Sequence, residues 1–229
     1  LEYKQQEAEQ NIRRIGKQEA LTILPIAGAD NIKQYRNKLE FTASNKEYMV
    51  RPLHSEKEEN DENPNENPFL REELNLPREE VLIAGEISPI SPFVGQGALG
   101  FHVPRIFDKV IDIYECHLMD DVNNRIRNTL RTFAQEQQYP FYDIRQHTGW
   151  LRNIIIRNCS TGELMVNVVV NYDEPAHISL LLDHLLKEIP QITTLLYTIN
   201  PKWNDSIFDL EPVTYFGKGY VTEKLGEFE

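Results

Sequence analysis

Cysteine is scarce in this chain of 229 residues, which contains only Cys116 and Cys159. Two cysteines cannot form the disulfide framework of a small secreted domain, and reduced thiols are typical of an intracellular protein. Long apolar runs are missing too, since no stretch of about 18 hydrophobic residues could span a bilayer and no signal segment opens the chain. We therefore expect a soluble, cytoplasmic protein without a membrane partner, and the start at Leu1 suggests a piece of a longer protein.

Positive charge is in deficit, with 24 Lys and Arg against 36 Asp and Glu and a net charge of -12. This balance argues against nucleic acid as a partner, because phosphate binding uses Lys and Arg. The acids are concentrated in residues 54–80, where ten acidic and three basic residues stand among Asn and Pro. We interpret this segment as a solvated, flexible insertion, with a specific acidic docking site as the alternative. A local basic face can still form elsewhere, from Arg13, Arg14, Lys17, Lys33, Arg36, Lys38, Arg125, Arg127, Arg131, Arg145, Arg152 and Arg157.

Hydrophobic periodicity predicts an α+β fold with a mostly antiparallel sheet and helices packed on one face. Capping and stop signals delimit the helices, and β-branched runs between turn residues delimit the strands. Helices are predicted over 1–15, 120–138 and 173–189, strands over 36–43, 46–51, 99–103, 109–113, 151–157, 163–170 and 193–199, and a terminal hairpin over 213–216 and 220–225. We predict three parts along the chain. Residues 1–17 form a linker helix, residues 18–225 form a central domain, and residues 226–229 begin a link to a further domain.

Several motifs look catalytic but fail on their context. Residues 95–100 match the letters of a dinucleotide fingerprint, yet Pro104 follows where such a motif would open a helix, so a glycine-rich loop or bulged strand is expected. Cys116 and His117 are adjacent and no second pair follows at zinc spacing, so a self-contained zinc site is not expected. A cysteine nucleophile would need a histidine and a carboxylate that the sequence does not place. We assign no catalytic residue to the chain.

Five segments, taken in order, point to a family. The segments are YRNKLEF at 35–41, LGFHVPRIFDKVIDIYECHL at 99–118, HTGWLRNIIIRN at 147–158, GELMVNVVV at 162–170 and GKGYVTEKLG at 217–226. They resemble the RNA uracil-5-methyltransferases, specifically the bacterial branch that modifies 23S ribosomal RNA, and the resemblance covers most of the chain apart from the acidic insertion. It implies a central domain that follows an RNA-binding barrel and a cysteine cluster and precedes a domain that binds S-adenosylmethionine.

The resemblance implies that this chain positions RNA and does not catalyse. The family's nucleophilic cysteine, which attacks carbon 6 of the uridine before carbon 5 is methylated, and its cofactor-binding residues would lie beyond Glu229, so the chain alone is expected to be inactive. Cys116 matches the fourth ligand of the four-iron four-sulfur cluster that some members carry. Because the other three ligands would lie upstream of Leu1, Cys116 is expected to be an unligated, buried thiol in this chain.

Basic and aromatic side chains are the expected contacts with RNA. An enzyme that modifies a ring atom of a base in structured RNA must hold phosphates on either side and separate the target from its neighbours. By resemblance and by charge, Arg36 and Lys38 are predicted to bind phosphates, and Tyr35 is predicted to stack on a base. The predicted partner is ribosomal RNA and not DNA.

A second aromatic and basic cluster follows at residues 147–152. His147 and Arg152 are predicted to contact RNA, whereas the alternative is that Trp150 fills the core and Arg152 pairs with an acid. A different class of function also stays open. In that case the chain is a noncatalytic module that recruits a basic protein through residues 54–80.

Overall fold

The computed structural model of this protein describes residues 1–48 and 97–226. Within these residues, one mixed sheet is accompanied by three α-helices. The helices are α1 (Glu2–Gln10), α2 (Asp121–Glu136) and α3 (Pro175–Glu188). The strands are β1 (Lys38–Ser44), β2 (Ala98–Val103), β3 (Ile106–Asp112), β4 (Leu151–Asn158), β5 (Leu164–Val170), β6 (Thr194–Ile199) and β7 (Val213–Phe216). The sheet order is β3-β2-β1-β4-β5-β6-β7, and all pairs are antiparallel except β5 with β6. The predicted α+β class is confirmed.

Helices α2 and α3 cover one face of the sheet and bury most of the core. Apolar residues at helical spacing, among them Ile126 in α2 and Leu181 in α3, meet alternate residues of the strands, such as Phe41 and Ile154. Full burial of such a side chain stabilises the fold by about 1.5–3 kcal/mol. This layer therefore supplies most of the favourable free energy of folding and fixes the strands beneath it.

The opposite face of the sheet carries polar side chains. Lys38 lies directly across from Arg157, and Thr42 directly across from Asn153, in the pairing of β1 with β4. Neighbouring residues on the same strands, Leu39 and Phe41, point into the helix-covered core, so the alternation of a strand places the polar set on the other side. We call this second surface the polar face. Its buried polar residues include Asn153, Asn167 and Thr198.

Two local predictions near the amino terminus were wrong in part. The helix predicted over 1–15 is α-helical only to Gln10 and continues as a π-helix, Asn11–Ile15, which ends with a bond from the Gly16 N–H to the Asn11 carbonyl. Neither segment has a buried residue. The strand predicted over 46–51 was expected to pair with the strand predicted over 36–43, but residues 46–48 pair with Val110 of β3. The remainder of the strand predicted over 46–51 lies outside the described residues.

The hairpin predicted over 213–216 and 220–225 was right in its first strand and wrong in its second. The first strand is β7 (Val213–Phe216), which pairs with β6, and residues 220–225 form no strand within the described part of the chain. The turn between them is instead pressed onto the sheet, because a Cβ at Gly217 would lie 2.1 Å from the carbonyl oxygen of Thr193. Thr194 completes this contact by donating its hydroxyl to the Tyr220 carbonyl at 3.0 Å.

Other predictions concern residues that the structure does not describe. The acidic insertion, 54–80, lies outside the described ranges, as do the first two residues of the glycine-rich motif at 95–100. The described remainder enters strand β2, as the strand interpretation predicted, with Gly97 at a φ of 115° against the ring of Phe141. The domain boundaries at 17 and 225 stay predictions. Among the described helices, none has the length and apolarity needed to cross a bilayer.

Candidate nucleic-acid interface

A group of exposed cations lies at one end of the polar face. Lys38 and Arg157 stand opposite each other on β1 and β4, and Arg36 lies just before β1. All three are exposed, and none of their side chains makes a hydrogen bond or salt bridge with a described residue. Like charges directly opposite each other destabilise a sheet. An anion between them would remove that repulsion. We call Arg36, Lys38 and Arg157 the cationic end.

Tyr35 adjoins the cationic end and is 61% exposed. Its backbone neighbours are fixed to the loop that contains Cys116. The Gln34 N–H donates to the His117 carbonyl at 2.7 Å, and the Arg36 N–H donates to the Leu118 carbonyl at 2.9 Å. The structure thus brings the predicted residues Tyr35, Arg36 and Lys38 together on one exposed edge.

Helix α2 holds residues 113–118, which we call the Cys116 loop. Asn124 accepts the Cys116 N–H at 2.8 Å, and Arg127 donates from Nε to the Ile113 carbonyl at 2.8 Å. Arg131 reaches the same carbonyl at 3.0 Å and is salt-bridged to Asp112 in β3 at 2.8 Å. The loop is therefore fixed by side chains of a single helix.

Arg127 and Arg131 do not contribute to a basic surface. Both are almost completely buried, and burial, followed by repulsion from Arg131, lowers the pKa of Arg127 to about 10. Each guanidinium also covers an aromatic ring, Arg127 over Phe41 and Arg131 over Tyr114. The expectation that these arginines belong to an exposed basic face was wrong, because their donors are needed inside to pair with loop carbonyls.

Cys116 is a free thiol with 7% of its surface exposed. Within residues 1–48 and 97–226, no group of three or more His, Cys, Asp and Glu side chains could hold a metal. A single thiol beside the Arg127 guanidinium therefore does not by itself fit a four-iron four-sulfur cluster. The role of Cys116 as a ligand stays a prediction of the family resemblance.

An aromatic pair lies near the opposite end of β4. The imidazole of His147 stacks on the indole of Trp203, with ring centroids 4.7 Å apart and planes inclined by 4°. The Tyr142 hydroxyl forms a hydrogen bond with Nδ1 of His147 at 3.2 Å, which fixes the imidazole from its edge. Trp203 is 75% exposed, so one face of its ring packs on His147 and the rest meets solvent. We call His147 and Trp203 the aromatic end.

Arg152 lies beneath the loop that carries Trp203. It is 1% exposed, and its guanidinium stacks over the ring of Tyr142 at 4.0 Å. Its acceptors are the carbonyls of Asn200 (2.7 Å), Lys202 (2.5 Å) and Asn204 (3.0 Å) and a carboxylate oxygen of Asp205 (3.0 Å).

Arg152 was predicted to contact RNA, but a side chain that is buried and hydrogen-bonded in this way cannot reach RNA. The structure instead has the arrangement given as the alternative, in which Arg152 pairs with an acid and Trp150 fills the core. Trp150 is completely buried and donates its indole N–H to the Tyr172 carbonyl at 3.2 Å.

Asp143 shapes the turn that presents His147. Burial opposes its ionisation, but hydrogen bonds to the carboxylate outweigh burial and hold the pKa of Asp143 well below its ordinary value. The backbone N–H of His147 donates to the Asp143 carbonyl at 2.7 Å, and His147 adopts a left-handed φ of 56°. Donors to the carboxylate are Asn45, Lys46 and the backbone N–H groups of Arg145 and Gln146.

Acidic side chains confine the positive charge to one end of the polar face. Partial burial raises the pKa of Glu40, the charge of Lys38 lowers it, and the charge of Asp205 raises it. The carboxylates of Glu40 and Asp205 therefore lie near each other, beyond the cationic end. Near the aromatic end, Arg145 is paired with Asp108 at 2.5 Å. Among the described residues of this face, the exposed cations that can bind a phosphate therefore lie at the cationic end. The aromatic end offers ring surface.

Trp203 is the functional candidate that the sequence reasoning missed. The chain has two tryptophans, and Trp203 follows β6 in a segment of Asn, Pro and Asp residues that cannot bury a large ring. That position was a usable signal. A tryptophan in a polar loop is expected to be exposed, and an exposed aromatic ring is a candidate contact for a ligand.

Comparisons with known proteins place the chain among RNA methyltransferases, although no family model matches it. It is 40% identical over 228 residues to an uncharacterized RNA methyltransferase of Bacteroides thetaiotaomicron, which aligns 98% of this chain with 43% of the relative. A second, from Porphyromonas gingivalis, is 38% identical over 227 residues, covering 98% of this chain and 42% of the relative. A third, from Chlorobaculum tepidum, is 30% identical and covers 100% of this chain and 41% of the relative. The chain spans about two fifths of the length of these curated relatives.

A solved structure shares the fold. The Pyrococcus abyssi tRNA (uracil-54, C5)-methyltransferase in complex with S-adenosyl-L-homocysteine matches with a TM-score of 0.58 and 15% identity. The match covers 99% of this chain and 40% of that chain. At this identity the likeness concerns the fold alone.

Proposed function

We propose, from the premise that this chain belongs to the RNA methyltransferase family over the length it spans, that it is the central, RNA-positioning part of a cytoplasmic uridine C5-methyltransferase. The proposed substrate is 23S ribosomal RNA, which follows from the motifs at 35–41 and 99–118. The solved protein of the same fold is by name a tRNA methyltransferase. The class of RNA is therefore part of the proposal.

The observation that carries the proposal is the opposition of Lys38 and Arg157. Two exposed cations without described partners, next to Arg36, make a local site for phosphate on a chain whose net charge is -12. Tyr35 provides an exposed ring beside them for an unpaired base. Together these side chains would hold the RNA strand while another part of the enzyme modifies the uridine.

Chemistry is assigned to parts of the enzyme outside this chain. S-adenosylmethionine would supply the methyl group, and the residues that bind it are proposed to lie in another part of the enzyme. Among the described residues, the glycine-rich segment Gly97 to Gly100 enters strand β2 and does not open a helix, as a dinucleotide site would require. We propose that the chain alone is inactive as a methyltransferase. A cluster at Cys116 would likewise need three further ligands from elsewhere.

Binding of RNA by the 229-residue chain tests this function. A structured fragment of 23S ribosomal RNA is titrated against the wild type, a Lys38→Ala/Arg157→Ala double variant, and a Lys187→Ala control in the helix layer. The double variant should bind about 5-fold more weakly or worse, because charge-assisted contacts contribute about 1 kcal/mol or more. The Lys187→Ala control should bind like the wild type.

Two results would contradict the proposal. One is equal affinity of the double variant and the control, since the cationic end would then have no part in binding. The other is indifference to RNA together with capture of a basic protein through residues 54–80, which would favour the noncatalytic interaction module. A tRNA control titrated in parallel distinguishes the two classes of RNA.

A further inference from the structure

Trp203 presents a large apolar ring to solvent from a loop that is rigidly held. Tryptophan is usually well covered in folded proteins, because burying an aromatic side chain removes some 150–250 Å² from water. Here His147 covers one face of the indole, and 75% of the residue stays exposed. The exposed ring is thus an arrangement that folding alone does not favour.

The loop that carries Trp203 is held by Arg152, which lies beneath it, and by hydrogen bonds between its own residues. The four acceptors of Arg152 lie in residues 200–205, so a buried guanidinium fixes the backbone on both sides of Trp203. Within the loop, Asn200 donates to the Asn204 carbonyl at 2.9 Å, and the Lys202 N–H donates to the Asn200 side chain at 3.1 Å. A ring held in this way loses little conformational entropy when a ligand stacks on it.

We propose that the outward face of Trp203 is a stacking platform for an unpaired nucleobase, and that Arg152, Tyr142 and His147 are the positioning residues that hold it. This inference rests on the proposed function and deepens it, because it adds a second base contact to the one proposed at Tyr35, away from the phosphates at the cationic end. A base on Trp203 would extend the existing ring stack by one member. Splaying a base out of folded RNA requires such a surface.

Charge favours a nucleobase over a phosphate at this place. Asp205 is paired with Arg152, and Asp209 is paired with Lys202, so the loop offers no free cation there. The described cations of the polar face that lack a side-chain hydrogen bond or salt bridge lie at the cationic end. Arg157 is near the last residue of β4, whereas Trp203 lies near the first, and at about 3.3 Å per residue the two are roughly 20 Å apart along the strand. A strand of RNA could therefore place a phosphate at Lys38 and Arg157 and a base several nucleotides away at Trp203.

The experiment measures how much base stacking contributes. Two short single-stranded oligoribonucleotides are titrated against the 229-residue chain, one intact and one abasic with the same phosphates. The proteins are the wild type, Trp203→Phe, Trp203→Ala and a Tyr3→Ala control, which removes a comparably exposed aromatic residue from α1. Quenching of tryptophan emission reports contact in the wild type, because the other tryptophan, Trp150, is buried.

The proposal predicts that Trp203→Ala weakens binding of the intact oligonucleotide by roughly 5- to 150-fold, the range expected when one base stack is removed. Trp203→Phe should retain most of the affinity, Tyr3→Ala should have no effect, and the abasic oligonucleotide should bind all four proteins alike. Wild-type affinity in Trp203→Ala, or an equal loss with the abasic oligonucleotide, would overturn the platform while leaving the phosphate site intact. Failure of every protein to bind either oligonucleotide, or structured RNA, would overturn both proposals.

Discussion

The guanidinium of Arg152 lies 2.5 Å from the carbonyl oxygen of Lys202, the residue that precedes Trp203. This contact links the interior of the sheet to the most exposed tryptophan of the chain. It also explains why an arginine that was predicted to bind RNA is buried, because its donors fix the loop that carries Trp203.

Replacement of Arg152 by lysine should destabilise the fold although the charge is kept. Lysine cannot reproduce the planar fork that satisfies three carbonyls and a carboxylate, nor the stack on Tyr142. We expect a loss of about 2–4 kcal/mol in the free energy of unfolding, since buried acceptors would be left unpaired. Urea denaturation measures this loss. Arg157→Lys, at an exposed site, should change stability by less than about 0.5 kcal/mol, and equal effects of the two substitutions would contradict the account.

Acid should weaken the turn that presents His147. Because the folded pKa of Asp143 lies below its unfolded value of about 3.9, its contribution is complete above that value and is lost as the pH falls toward the folded value. Asp143→Asn should lower the free energy of unfolding at pH 7 by about 1–3 kcal/mol and flatten its decline in acid. Chemical denaturation across a pH series checks both effects. The exposed Asp30→Asn control should follow the wild-type curve, and a parallel curve for Asp143→Asn would refute this interpretation.

Removal of the Asn124 side chain should expose Cys116 to thiol reagents. Asn124 accepts from the Cys116 N–H and from Arg127, both at 2.8 Å, so alanine leaves two donors unpaired and loosens the loop. The labelling rate of Cys116 should rise by roughly 5-fold or more as local opening becomes easier. Mass spectrometry of each cysteine measures it, with Cys159 as the internal reference. An unchanged rate for Cys116 would mean that Asn124 does not hold the loop.

Gly149 and Gly162 form a matched pair for backbone strain. Both have a positive φ, but a Cβ at Gly149 would lie 2.3 Å from the Phe141 carbonyl oxygen, whereas nothing lies within 4 Å of one at Gly162. Gly162→Ala should cost about 1–2 kcal/mol, the usual penalty of the left-handed region. Gly149→Ala should destabilise the fold by clearly more, because the adjoining backbone must also move. Similar urea midpoints for the two variants would contradict this assignment.

The regular elements could be predicted because their signals are local. The β-branched runs of β4 and β5 and the apolar stripe of α2 carry their own periodicity, and the structure places all three within a few residues of the prediction. The terminal hairpin failed because Gly217 brings the chain against β6, an approach that depends on a residue distant in sequence.

The roles of the arginines could not be predicted from the sequence. Charge alone does not distinguish an exposed arginine such as Arg36 from one that is satisfied inside. The partners of Arg152 lie in residues 200–205, far along the chain, and become neighbours only when β4, β5 and β6 assemble. For the same reason, the stack of His147 on Trp203 is visible only in the folded protein.

The dependence of RNA affinity on salt tests the central claim most directly. For single-stranded RNA, the slope of log affinity against log salt becomes shallower by about 0.7 for each phosphate that the protein no longer neutralises. The Lys38→Ala/Arg157→Ala double variant should therefore have a slope shallower by about 1.4 than the wild type, whereas Lys187→Ala should leave the slope unchanged. A double variant with the wild-type slope would show that the cationic end does not hold RNA.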